Sequence, residues 1–166
     1  MNVTFKGNPV TLVGKQLQVN DTLPAFTVTG NDLGAISRED TKGVRVFLTV
    51  PSLDTGVCSI EVAKFMEYFK GNQEVSCYAI SVDLPFALDR WCQAKNNDNV
   101  VTASDYQTKS FAEATGTFIK ELCLLTRAVF VVDADNVVHH VEYVSEVANE
   151  PNYDAVLATV AKLTGK

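Results

Sequence analysis

The chain has little of what marks several common protein classes. Its four cysteines, at 58, 77, 92 and 123, include no C-x-x-C pair and show no close Cys/His spacing with its only two histidines, His139 and His140. That argues against a structural zinc site. No run of about eighteen apolar residues is available to span a bilayer. The amino terminus lacks a basic segment followed by an apolar signal core. We therefore expect a protein with no membrane partner, located in the cytoplasm. The net charge is −6 and lysine and arginine form no cluster, so the sequence offers nothing with which to neutralise nucleic-acid phosphates. Internal repeats and low-complexity linkers are also missing, which leaves residues 1–166 as a single domain. With 46% hydrophobic residues, that length can bury a core without metal or disulfide staples. In a reducing compartment an even cysteine count is weak evidence for structural disulfides, and a redox pair is the better-motivated use.

What is present is an alternation of strand and helix patterns. Residues 3–13 alternate around Gly7-Asn8-Pro9 and predict an N-terminal β-hairpin, assigned to residues 1–16. Residues 25–29 predict a strand, 36–41 a short polar link, and 44–50 and 75–82 two buried strands rich in β-branched residues. A helix is expected from the neighbourhood of Cys58 to about Lys70, with Val62, Phe65, Met66 and Phe69 on its core face. A second opens at Asp83-Leu84-Pro85, with proline in its first turn, and runs through Phe86, Leu88, Trp91 and Cys92 to end at Asn96-Asn97-Asp98-Asn99. A strand at 100–102, a helix at 108–115, strands at 124–132 and 137–144 joined by a turn at 133–136, and a helix from about 152 to 163 complete the pattern. The arrangement fits a three-layer α/β domain with a mixed sheet.

The most specific stretch is Pro51-Ser52-Leu53-Asp54-Thr55-Gly56-Val57-Cys58. Pro51 ends the buried strand because it has no N–H for a ladder, and Ser52, Asp54, Thr55 and Gly56 supply turn and cap chemistry. Cys58 is thereby placed in the first turn of a helix, where unpartnered N–H groups and the positive end of the macrodipole favour a thiolate over a thiol. An arbitrary cysteine is usually a buried, inert hydrophobe. The strand, proline break, Thr55 and helix start around Cys58 set it apart.

These residues carry a resemblance. The run from Pro51 to Cys58 resembles the P-x-x-x-T-x-x-C signature of peroxiredoxins, and its S-L-D-T-G-V-C wording is similar to the thiol peroxidase subfamily of atypical two-cysteine type. The likeness extends over nearly the whole chain, through the stretches at 5–11, 81–87, 126–133 and 150–153. It implies a thioredoxin-like fold with flanking helices and an extra N-terminal hairpin. It also implies reduction of hydrogen peroxide and alkyl hydroperoxides without cofactor or metal, recycling by thioredoxin, and a homodimer.

By the same resemblance Cys58 is the peroxidatic cysteine, which attacks the terminal peroxide oxygen and becomes a sulfenic acid. Thr55 and the Cys58 backbone N–H match the family's donors to the breaking O–O bond. Pro51 would shield the sulfur, besides ending a strand. Arg127 matches the family arginine beside the sulfur, although a charge at a strand boundary is ordinarily just solvated. Glu61, on roughly the same helix face as Cys58, is a candidate for orienting Arg127, or else an exposed helix charge. Cys92, thirty-four residues after Cys58, matches the resolving cysteine, forming a Cys58–Cys92 disulfide within one chain; the alternative is a packing cysteine beside Trp91. Cys77 and Cys123 match no role and read as packing cysteines, and His139 and His140 as surface histidines on opposite faces of a strand. Two other functions compete: a Cys-His hydrolase, which needs a histidine near Cys58, and a redox-inert thioredoxin-like binding module.

Overall fold

The computed structural model describes residues 2–165, so the part of the expected hairpin assigned to residue 1 lies outside the described residues. Its elements, in order, are β1 (Val3–Phe5), β2 (Asn8–Val10), β3 (Leu12–Val13), β4 (Thr27–Gly30), β5 (Ala35–Ser37), β6 (Val44–Thr49), α1 (Gly56–Tyr68), β7 (Val75–Ser81), α2 (Pro85–Ala94), β8 (Val100–Ser104), α3 (Ser110–Thr115), β9 (Phe118–Ile119), β10 (Leu124–Leu125), β11 (Ala128–Val132), β12 (Val138–Tyr143) and α4 (Tyr153–Thr164). Seven strands form the central sheet in the order β12-β11-β6-β7-β8-β4-β5. β6, β7 and β8 pair in parallel, and every other neighbouring pair is antiparallel.

The β6-α1-β7-α2-β8 run follows from composition. β6 and β7 are buried on both faces, so their side chains alternate between two cores rather than between core and water. Val46, Leu48, Cys77 and Ala79 face Val62, Phe65, Leu88, Val156 and Val160 from α1, α2 and α4. Phe47 and Ile80 face Phe26, Phe111 and Phe130 on the opposite side, where α3 and the segment before β4 close the third layer. This is the thioredoxin-like, mixed-sheet arrangement expected from the resemblance. Both α1 and α2 start at the carboxyl ends of adjacent parallel strands, the edge at which open α/β sheets place their sites.

Three local readings change. The N-terminal hairpin is narrower than residues 1–16: Val3 pairs with Val10 across a Lys6-Gly7 turn with both residues at positive φ, and Leu12–Val13 leaves to pair with β9. Residues 36–41 are not a plain polar link, because Ala35–Ser37 returns antiparallel to β4 as an edge strand and Ile36 packs on the core. The apolar run 124–132 is two strands: β10 belongs to the small β10-β9-β3 sheet, while β11 joins the central one. Between them Thr126 donates its N–H to the Thr117 carbonyl at 2.8 Å. Arg127 occupies the break. One glycine is fixed by space: Gly116, at φ +67, ends α3 so close to residues 15 and 16 that a Cβ would lie 2.7 Å from the Gln16 nitrogen.

Candidate active site

Pro51 is buried just past the end of β6, and Val50 makes the last ladder bond, to the Ile80 carbonyl at 3.1 Å. The turn that follows is pinned by Asp83, which lies two residues beyond β7. Its carboxylate accepts from Ser52 Oγ at 2.6 Å, the Leu53 N–H at 2.8 Å and Ser81 Oγ at 2.8 Å. Its backbone carbonyl accepts from Ser104 Oγ. Asp83 was legible in the sequence only as part of the 81–87 stretch and of the opening of α2. A lone aspartate between a strand and a proline gives no signal of which loop it holds.

Thr55 is the N-cap residue of α1, but its side chain makes no capping bond. Instead its hydroxyl donates to the Ser52 carbonyl at 2.9 Å. The first bond of the helix is Ser59 N–H to the Thr55 carbonyl, at 3.0 Å. The N–H groups before it, including that of Cys58, therefore keep the orphan-donor character of a helix start. The expected donor role of Thr55 needs adjustment: with its proton on Ser52 the hydroxyl presents lone pairs, and it can donate elsewhere only by releasing that bond.

Cys58, third residue of α1, is 1% exposed. Arg127 Nη2 donates to its sulfur at 3.2 Å, Nη1 to Glu61 Oε1 at 2.9 Å, and Nε to the Val147 carbonyl at 2.8 Å. All three faces of the guanidinium fork are thus committed. Arg127 is 2% exposed and Glu61 0%, so the solvated strand-boundary charge and the exposed helix charge are both excluded. Burial pushes the Glu61 carboxyl up to about 7; Arg127 opposes the shift, and Glu142 and Glu150 add to it. Glu61 Oε2 has no hydrogen-bond partner among the described residues. Burial works against the charge on Arg127, but Glu61 and then Cys58 more than offset it, so its affinity for the proton rises. A guanidinium held by a carboxyl oxygen, a sulfur and a carbonyl is a fixed donor fork beside the sulfur.

Cys92 is half-buried in α2, and like the buried Cys58 it is a free cysteine outside any disulfide. Its sulfur does not sit in an apolar pocket beside Trp91. It lies 3.2 Å from Asn97 Nδ2, 3.2 Å from Thr102 Oγ1 and 3.7 Å from Asn31 Nδ2. Trp91 turns to α1 instead and donates Nε1–H to Ser59 Oγ at 3.0 Å. The structure thus groups Cys58, Arg127 and Glu61 at one point and leaves Cys92 at another, on a different helix.

Cys77 is buried in β7, and burial pushes its thiol far up. Cys123 is exposed with φ +54, so the packing reading fails for it: it sits in the turn between β9 and β10, not in a strand. The histidines are not free surface groups either. His139 Nε2 meets Asp133 Oδ2 at 2.7 Å. His140 is half-buried, with Nε2 unpartnered among the described residues and its basicity lowered by burial. Neither hydrogen-bonds Cys58, so the structure supplies no Cys-His pair. Among the described residues no cluster of His, Cys, Asp or Glu could hold a metal, and no helix is long and apolar enough to cross a membrane.

Comparison with known proteins gives the family. The Redoxin family profile matches residues 18–157. The chain belongs to the Redoxin family. Among its relatives, a thiol peroxidase of Clostridium acetobutylicum is 50% identical over 157 residues, covering 95% of this chain and 96% of that one. A thiol peroxidase of Bacillus subtilis is 50% identical over 153 residues, covering 92% of each. The crystal structure of a peroxiredoxin-like protein from Aquifex aeolicus superposes with a TM-score of 0.92 at 42% identity, covering 98% of this chain and 96% of that one.

Proposed function

We propose that this thiol-dependent peroxidase works through a thiolate at Cys58, held by Arg127, and through Cys92 as its resolving partner. The observation that carries the reading is the Arg127 Nη2 to Cys58 Sγ contact of 3.2 Å between two buried groups at a helix start. The sulfur attacks the terminal oxygen of a hydroperoxide. The O–O bond breaks, the sulfur becomes a sulfenic acid, and the leaving oxygen takes a proton to depart as water or an alcohol. Charge growing on that oxygen is met by the orphan N–H groups of α1 and by the Arg127 fork. Pro51, buried at the strand end, shields the sulfur side of the loop, and Thr55 orients the peroxide through its lone pairs or, after releasing Ser52, its proton.

Cys92 then attacks the Cys58 sulfur. The S–O bond breaks, water leaves, and an intrachain Cys58–Cys92 disulfide remains for thioredoxin to reduce. Peroxide and a thioredoxin-type dithiol are the partners, the cytoplasm supplies the reducing compartment, and no cofactor is required. Exposed Leu84 and Phe86 border a groove beside the Ser52–Asp54 loop, which supports a homodimer that covers this edge.

The test is consumption of hydrogen peroxide and an alkyl hydroperoxide in the presence of thioredoxin, thioredoxin reductase and NADPH. Wild type should turn over and Cys58→Ser should not. Full turnover by Cys58→Ser would remove the reading, and inertness of wild type would favour a binding module.

A further inference from the structure

We infer that Thr102, Asn31 and Asn97 form a latch that holds the reduced Cys92 sulfur away from Cys58 and sets the rate of its release. The inference rests on the reading of Cys92 as the resolving cysteine. Its basis is the proton accounting around the sulfur. Thr102 is buried and has one hydroxyl proton, which it donates to Asn31 Oδ1 at 3.0 Å. Its oxygen, 3.2 Å from Cys92 Sγ, must therefore accept the S–H. Asn31 Nδ2 points back at the same sulfur from 3.7 Å, closing a ring of thiol, hydroxyl and amide.

Asn97 adds a donor that cannot wander. One amide hydrogen reaches Cys92 Sγ at 3.2 Å and the other the Val100 carbonyl at 2.7 Å, while Oδ1 accepts the Val100 N–H at 3.0 Å. The three residues come from the β4–β5 turn, from β8 and from the loop after α2, so the ring ties α2 to β8 and to the β4–β5 turn. Neighbouring helix residues point about 100° apart. That is why Trp91 can face Ser59 on α1 while Cys92 faces Thr102.

A cysteine used only for packing gains nothing from such partners, because its sulfur behaves as a small hydrophobe. For resolution every one of these contacts has to break. The Cys92 S–H gives up its proton, the sulfur forms a bond to Cys58 Sγ, and the sulfenic S–O bond breaks with the oxygen leaving as water. Release from the ring thus precedes the chemistry. It lengthens the life of the sulfenic acid, during which a second peroxide can oxidise Cys58 irreversibly.

Trp91 is the chain's single tryptophan, adjacent to Cys92 in sequence and hydrogen-bonded to Ser59, the residue after Cys58, so its fluorescence follows both steps. Reduced full-length protein is mixed with excess hydrogen peroxide in a stopped-flow instrument, and the products are mapped as non-reduced peptides. In Thr102→Val the first phase, Cys58 oxidation, should keep its rate. The second phase, disulfide formation, should quicken about fivefold, the worth of one net hydrogen bond. The peroxide concentration that overoxidises Cys58 should rise with it, and Thr102→Ser should restore wild-type behaviour. Asn31→Ala should quicken the second phase as well, which keeps the test alive if Thr102→Val folds poorly. A second phase unchanged or slowed in both variants, in a protein whose wild type forms the Cys58–Cys92 peptide, overturns the latch alone. A wild-type map without that peptide overturns the reading of Cys92, and the latch with it.

Discussion

Glu61→Gln tests the electrostatics of the site most directly. Glu61 is fully buried, shares Arg127 with Cys58, and has one carboxylate oxygen without a partner. Burial lifts its carboxyl from 4.5 to about 7 despite Arg127. The sign follows from linkage: below the unfolded value both states hold the proton, and between the two values only the folded state does. Stability from this group is therefore full at low pH and lost as pH rises to about 7. The difference between about 7 and 4.5 corresponds to on the order of 3 kcal/mol. Glutamine keeps the Oε1 acceptor for Arg127 but cannot ionise. Subtracting wild-type from variant stability removes every titration the two share. Urea unfolding of reduced protein should show this difference climbing in favour of glutamine by on the order of 3 kcal/mol between about pH 4 and pH 8. A difference that stays flat over that range would falsify the argument, since Glu61 would then be an ordinary carboxylate fully stabilised by Arg127.

Arg127→Met removes the fork and leaves Glu61 buried without its cation, so stability near neutral pH should fall by about 3–5 kcal/mol. In stopped-flow peroxide reactions Cys58 oxidation should slow by at least about tenfold in the fraction that folds, given the worth of a charge-assisted donor; an unchanged rate would assign activation to the helix start alone. Asp83→Ala strands Ser52 Oγ and the Leu53 N–H, so thermal unfolding should show a loss of about 1–3 kcal/mol and hydrogen exchange should quicken in residues 51–55, whereas unaltered exchange there would mean that the turn holds itself. Cys92→Ser should stall as the Cys58 sulfenic acid and overoxidise at lower peroxide, read by intact mass; a normal disulfide in that variant would point to Cys77 or a second chain. Asn152→Ala removes the cap that Asn152 gives the Ala155 N–H at 3.1 Å and should cost about 1 kcal/mol without altering peroxide kinetics.

What could be read from the sequence depended on whether the signal was local. The Val44–Val50 and Val75–Val82 strands, the proline break and the α1 face were legible because period and turn chemistry are properties of neighbours in the chain. The edge strand Ala35–Ser37 was not, because its apolar content is one isoleucine and its reason to be a strand is β4 beside it. Nor was the break at Thr126–Arg127, since Leu124 to Val132 reads as one apolar run and only the presence of two sheets divides it. Arg127 and Glu61 show the same limit in the site. A charge before a strand and a charge on a helix are ordinary surface features in a sequence, and sixty-six residues separate two groups whose burial makes sense only when they meet. The Cys92 ring, assembled from residues 31, 92, 97 and 102, gave no signal at all, because asparagine and threonine beside turns are commonplace.

The distribution of helix caps connects this static site to its cycle. α4, which only packs, starts on an Asn152 side-chain cap, and α3 is capped from outside by Asp105, which accepts the Phe111 and Ala112 N–H groups at 3.1 and 2.8 Å. α1 and α2, which carry Cys58 and Cys92, begin at Thr55 and Leu84 with no side-chain cap. A cap stabilises a helix start by about 1 kcal/mol. Omitting it at α1 leaves N–H donors turned toward the place where a peroxide oxygen gathers charge, and it keeps the opening of both first turns inexpensive relative to global unfolding. In their place α1 is held by tertiary ties, Arg127 on Cys58 and Asp83 on the Ser52–Leu53 turn. α2 is held by the ring on the Cys92 sulfur. On the proposed cycle, oxidation of Cys58 would alter the Arg127 contact and departure of Cys92 would break the ring, so each chemical step would remove a restraint that kept its own helix in place. Reduction of both cysteines would then restore the contacts that the reduced fold shows.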